Sequence, residues 1–133
     1  MIVAVADTHT IIWYLFDDPR LSDIARQTIE TAAVKGNQIG IASITLAEIV
    51  YLSEKNRIPE QTLERLLNEI EEDKSVLIEI PLDKNVVKAL VRVERIQIPD
   101  LPDRIIAATA LYAKVPVISR DRKIKLSDIQ TIW

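Results

Sequence analysis

Four carboxylates in this 133-residue chain, Asp7, Glu48, Asp103 and Asp121, occupy positions that surface solvation does not account for. Seven others, Glu60, Glu64, Glu71, Glu72, Asp73, Glu79 and Glu94, fall on the polar faces of helical segments or near strand ends, and there a solvated side chain is a sufficient explanation. On a helical wheel Glu48 lies between Ile44 and Leu52, with Ala47 and Tyr51 close by, so a charge interrupts an apolar stripe. Burying it unpaired is costly, which requires a cation, hydrogen-bond donors, a buried salt bridge or a cleft. Asp103 stands at the start of a helix in line with Ile106, Ala107, Ala110 and Leu111, where an N-cap would also explain an aspartate. Asp7 directly follows an apolar run, and Asp121 lies two residues beyond another.

Carboxylates gathered in one place repel and raise one another's pKa unless a cation joins them. Oxygen donors select hard ions such as Mg²⁺ or Mn²⁺, which bind through a few carboxylates plus water and substrate phosphate. One histidine and no cysteine leave no donor set for zinc. Thr8, Ser43 and Ser119 are candidate supporting hydroxyls, although each also suits a cap or turn. A bound cation reverses the field of an acidic pocket, and metal-activated water cleaves a phosphodiester without any histidine.

The elements that must position these groups alternate between strand and helix. Ile2 to Ala6 reads as a buried strand and Thr8 to Phe16 as a mostly apolar helix. Leu21 to Lys35 is an amphipathic helix stopped by Gly36-Asn37, and Gln38 to Ala42 is a strand. Helices are expected over Ser43 to Lys55 and Pro59 to Asp73, a strand over Val76 to Ile80, and a helix from an Asp83 cap to about Arg95. Ile98 to Pro102 is a loop too proline-rich for regular structure, with the next helix beginning at Pro102 or Asp103 and running through Ala113. Val115 to Ser119 and Ile129 to Trp133 read as strands joined by a polar connection, Arg120 to Leu126. This order implies a parallel sheet covered on both faces. Asp7 and Asp121 then emerge at the carboxyl edge of the strands, where open α/β sheets bind ligands. Glu48 lies just beyond the second strand, and Asp103 joins them if its helix begins at that rim.

Length and a 48% hydrophobic content suit one domain spanning residues 1–133, with a core that needs no staples. The absence of cysteine excludes disulfides and thiolate catalysis. The apolar opening run is far shorter than the roughly 20 residues of a membrane helix, so neither secretion nor membrane insertion is indicated and the cytoplasm is the default. The net charge of -3 argues against holding nucleic acid by bulk positive charge. Its distribution is uneven, however: Arg104 to Trp133 carries six basic residues against two acidic, a surplus of four, leaving -7 on the rest. A basic end beside an acidic body permits a phosphate-bearing ligand.

These residues resemble the PIN domain, and within it the VapC-type toxins of bacterial and archaeal toxin-antitoxin pairs. The resemblance spans essentially the whole chain through Ala6 to Trp13, Ser43 to Ile49, Asp100 to Ala110 and Ile118 to Asp121, in the expected order. It implies a three-layer α/β/α sandwich with a central parallel sheet and a Mg²⁺- or Mn²⁺-dependent endoribonuclease acting on RNA. Asp7, Glu48, Asp103 and Asp121 match the metal-coordinating positions, and Thr8 and Ser119 the supporting hydroxyls. It also implies a homodimer and a small antitoxin that obstructs the site. Ser119 stands where threonine is commoner, and the segment Arg95 to Pro99 lacks the histidines often found there.

His9 neighbours Asp7, but cleavage through the RNA 2′-hydroxyl needs an acid and a base, and no second histidine completes the pair. Helix surface or packing is its default role. Asp17, Asp18 and Asp100 are assigned to turns and caps. Arg104, Arg120, Arg122 and Lys123 flank the proposed ligands and are candidate contacts to RNA phosphates. Trp13, Tyr14 and Trp133 read as core or interface, since no basic groove interleaves with them. Two other readings compete: a catalytically silent PIN-like binding module, and a receiver-like phosphoacceptor domain, for which Asp83 after the third strand offers a weak match.

Overall fold

The computed structural model describes residues 1–133. Five strands, β1 (Ile2–Ala6), β2 (Gln38–Ala42), β3 (Leu77–Ile80), β4 (Val117–Ile118) and β5 (Thr131–Ile132), form one sheet in the order β3-β2-β1-β4-β5. Every pairing is parallel. Seven helices cover it: α1 (Thr8–Leu15), α2 (Asp23–Val34), α3 (Ser43–Glu54), α4 (Thr62–Glu71), α5 (Lys84–Val91), α6 (Leu101–Ala113) and α7 (Arg122–Lys125).

The two-residue period of the strands divides the core into two layers. Ala4 and Ala6 of β1, Ile39 and Ile41 of β2 and Leu77 of β3 pack with Ile11, Ile29, Ile49 and Leu66 of α1 to α4. Val5, Ile80 and Val117 face the other way, onto Ile106 and Ala110 of α6. Outside α6, Val86 and Ala89 of α5 meet Ala107, Ala108 and Ile124. The result is an α/β/α sandwich on a parallel sheet. Gly40 at the centre of β2 leaves room for the second layer, because a Cβ there would displace the end of the Ile80 side chain and crowd Val5.

Element ends differ from the sequence reading for local reasons. Pro59 does not open α4: Thr62 donates from both its amide and its hydroxyl to the Pro59 carbonyl, forming a separate turn before the helix. β4 is shorter than Val115 to Ser119, although Ser119 N still donates to Ile132 O at the rim. The polar connection after it contains the short helix α7. Helix α6 begins at Leu101, with Asp100 as its N-cap. No helix is long and apolar enough to cross a membrane.

Candidate active site

The carboxyl ends of β1 and β4 adjoin at the centre of the sheet and carry the most tightly held part of the site. Asp7 is 7% exposed and caps α1, its Oδ1 accepting from Thr10 N at 2.9 Å. Its Oδ2 accepts from the Ser119 hydroxyl at 2.5 Å, and Ser119 Oγ in turn accepts from Asp121 N at 2.9 Å. Thr10 Oγ1 donates to Ile118 O at 2.8 Å, locking α1 to the end of β4. Asp121 caps α7 through Oδ1, which accepts from Lys123 N and Ile124 N. One relay of hydrogen bonds therefore couples the two rim aspartates.

Glu48 enters from α3. Thr8 Oγ1 donates to Glu48 Oε1 at 2.6 Å and lies 3.1 Å from Thr45 Oγ1. A hydroxyl has one proton, so with Thr8 donating to the carboxylate, Thr45 donates to Thr8. The wheel around Glu48 differs from the sequence reading in one respect. Ala47 and Tyr51 are exposed, and α3 buries Thr45 and Ile49 instead, so Glu48 stands half-buried at the boundary of the packed face. Asp103 is not a cap. Asp100 holds that position, with Oδ2 accepting from Asp103 N at 3.1 Å, and Asp103 lies in the first turn of α6 with its carboxylate left for the cleft.

A cleft of about 340 Å³ unites Asp7, Glu48, Asp103 and Asp121, together with Thr8, His9, Trp13, Asp100 and Arg120. Burial pushes Asp103 up to about 7, and the charges of Asp100, Asp121, Glu48 and Asp7 add to it. Glu48 is raised chiefly by burial, against the lowering effect of its Thr8 bond, with Asp100 and Asp7 raising it further. Crowded carboxylates that resist ionisation are the condition a cation relieves. No three of the acidic or histidine side chains converge tightly enough to grip an ion directly. Oxygen-only donors of this kind would hold a hard divalent ion only with waters between the ion and part of its ligands.

The basic candidates separate. Arg120 lines the cleft, its guanidinium 4.6 Å from the centre of the Trp13 ring. Arg122 and Lys123 are exposed on α7 and do not line it. Arg104 is a correction: its Nη2 donates to the carbonyls of Leu90 at 3.3 Å and Val93 at 2.8 Å, so it is turned from the cleft toward the C-terminal end of α5, where the helix dipole favours a cation. Ser43 is another, since its hydroxyl donates to Glu79 Oε2 and accepts from Leu82 N, away from the cleft. Asp17 and Asp18 pair with Arg26 and Arg20. The sequence reading missed Asp100 and Thr45 as neighbours of the site. Spacing alone held a signal for the first, because Asp100 precedes Asp103 by three residues and so shares its side of the helix entrance.

A PIN domain family model matches residues 4–129. The chain belongs to the PIN domain family. This PIN domain is also similar to solved structures in its fold. A DNA-bound VapBC from Salmonella typhimurium superposes with a TM-score of 0.73 at 22% identity, covering 98% of this chain and 97% of that one. VapBC2 from Rickettsia felis, bound to a promoter DNA fragment, gives 0.71 at 20% identity with the same coverage. A toxin-antitoxin complex from Klebsiella pneumoniae gives 0.61 at 25% identity, covering 91% of this chain and 89% of that one. No curated protein matches the chain. Membership in the PIN family displaces the receiver-like reading, and Asp83 has a structural role as the cap of α5, accepting from Asn85 N and Val86 N.

Proposed function

We propose that this PIN domain is a metal-dependent endoribonuclease, the toxin of a VapBC-type toxin-antitoxin pair, that hydrolyses RNA with water activated by Mg²⁺ or Mn²⁺. The observation that carries this reading is the convergence of Asp7, Glu48, Asp103 and Asp121, from four separated segments, on one open cleft. Those four carboxylates would hold the ion, which supplies Lewis-acid polarisation of the phosphate and a nucleophilic water near neutral pH. The chain's own residues do the rest. Ser119 and Thr8 hold the Asp7 and Glu48 carboxylates in place by donating to them. Arg120, braced on Trp13, is placed to receive a phosphate oxygen, and Arg122 and Lys123 extend positive charge beside it.

The likeness to toxin-antitoxin complexes supports a cognate antitoxin as partner. A homodimer is part of the same reading, and Val87 and Val91, exposed one turn apart on α5, supply apolar surface of the kind a partner covers. The decisive experiment is cleavage of RNA and single-stranded DNA oligonucleotides by purified, antitoxin-free protein. RNA is expected to be cut with Mg²⁺ or Mn²⁺, not in EDTA, with activity restored on adding back metal. Cleavage that persists in EDTA overturns the metal-dependent reading. No cleavage under any condition would point to the silent PIN-like binding module.

A further inference from the structure

We propose that the groove beside the cleft, between α1 and the segment joining α3 to α4, binds single-stranded RNA, with His9 as the stacking face for a base and Arg20 and Arg57 as phosphate contacts. The inference rests on the reading of the cleft as a ribonuclease site and names the path along which its substrate lies.

The groove has a volume of about 360 Å³ and shares His9 and Trp13 with the cleft, so one wall serves both. A strand leaving the cleft over that wall passes directly into the groove. Trp13 carries an arginine toward each side. Arg120 lies 4.6 Å from its ring centre and lines the cleft, while Arg20 lies 5.1 Å from it and lines the groove. Arg20 is exposed yet fixed: its Nε and Nη2 donate to Asp18 at 3.0 and 2.8 Å, which leaves other guanidinium N–H groups for an acceptor. Arg57 is also exposed and belongs to neither of the two ion pairs in the molecule. With Asp18 the one acid lining it, the groove is positive where the cleft is negative. That sign favours a phosphate chain, and the apolar lining at Phe16, Leu52 and Ile58 suits the face of an unpaired base. His9 is the exposed aromatic side chain of the shared wall, its ring 5.8 Å from that of Trp13 and tilted by 50°. Trp13 itself is 4% exposed, so it anchors the imidazole and the two arginines while His9 meets the base. The sequence hides this basic, aromatic-lined groove, since Arg20, Arg57 and Arg120 come from three distant segments.

The test follows binding of a fluorescein-labelled single-stranded oligoribonucleotide by anisotropy over a range of salt concentrations, in EDTA so that no ion takes part. The variants are His9→Ala, His9→Phe, Arg20→Gln and Arg57→Gln, with circular dichroism as the check on folding. His9→Ala is expected to bind roughly tenfold more weakly with an unchanged salt slope, and His9→Phe, which keeps a ring, within about twofold of the parent. Each glutamine variant loses one phosphate contact and is expected to reduce the salt slope by about 0.7. Parent-like binding in all four variants, or no binding by the parent, overturns the groove as an RNA path and leaves its apolar lining to a protein partner. Cleavage of RNA by the parent in Mn²⁺ would then still uphold the cleft. Weakened binding in the variants of a parent that cuts no RNA in Mn²⁺ retains the groove and overturns the nuclease reading.

Discussion

Asp103 is the residue whose protonation most directly governs the proposed chemistry. Its carboxyl, ordinarily near 3.8, is held at about 7 by burial and by four neighbouring charges, so the folded protein binds a proton that the unfolded chain releases. Between those two values stability falls as pH rises, because the native state retains the proton and the denatured state does not. Asp103→Asn removes the penalty. The variant should gain about 1–2 kcal/mol over the parent at pH 8, after allowance for solvent screening of a half-buried group, and little at pH 4, in metal-free urea titrations. A protonated carboxyl cannot ligate a cation, so parent cleavage at limiting Mn²⁺ should rise from pH 6 to pH 8. Asp103→Asn should abolish cleavage at every pH. Asp7 behaves differently because both its oxygens are engaged: Asp7→Ala loses the α1 cap and should cost about 1 kcal/mol in addition to activity, whereas Asp7→Asn keeps an oxygen for Thr10 N.

At the level of elements, α6 carries the cleft residue Asp103 at its start and the core residues Ile106 and Ala110 along its length, so its seating on the sheet sets the geometry of the site. Arg104 fastens the same helix to the end of α5. Arg104→Met should lower stability by about 1–2 kcal/mol through loss of the bonds to the Leu90 and Val93 carbonyls, while cleavage per folded molecule and its salt dependence stay at parent values. A large drop in RNA affinity would instead restore Arg104 as a phosphate contact. Gly40→Ala tests the sheet beneath: crowding Ile80 and Val5 should cost about 1–3 kcal/mol in denaturant midpoint, and activity should fall only as folded protein is lost.

Across the whole molecule, a cation that binds only the folded cleft must stabilise the fold by mass action. Saturating Mn²⁺ should raise the melting temperature of the parent by several degrees, and raise that of Asp103→Asn much less; an equal rise in both would place the ion elsewhere. Much of this architecture was legible in the chain itself. Period-two and helical patterning, with caps such as Asp83 and the Gly36 stop, locates the alternating elements and hence a parallel sheet with Asp7 and Asp121 at the carboxyl edge of its strands. Those features are local, because a strand or helix signals itself over a few residues of apolar spacing. What only the tertiary structure decided is the destination of side chains whose partners are distant in sequence. The capping alternative for Asp103 passed to Asp100 once the start of α6 was set, Arg104 and Ser43 turned away from the cleft to acceptors on other elements, and Glu48 found Thr8 across 40 residues. The four carboxylates were recognisable by type and position. The shared environment that raises Glu48 and Asp103 and draws in Asp100 exists only where β1, α3, α6 and the end of β4 meet, because desolvation and charge repulsion depend on distances the sequence does not contain.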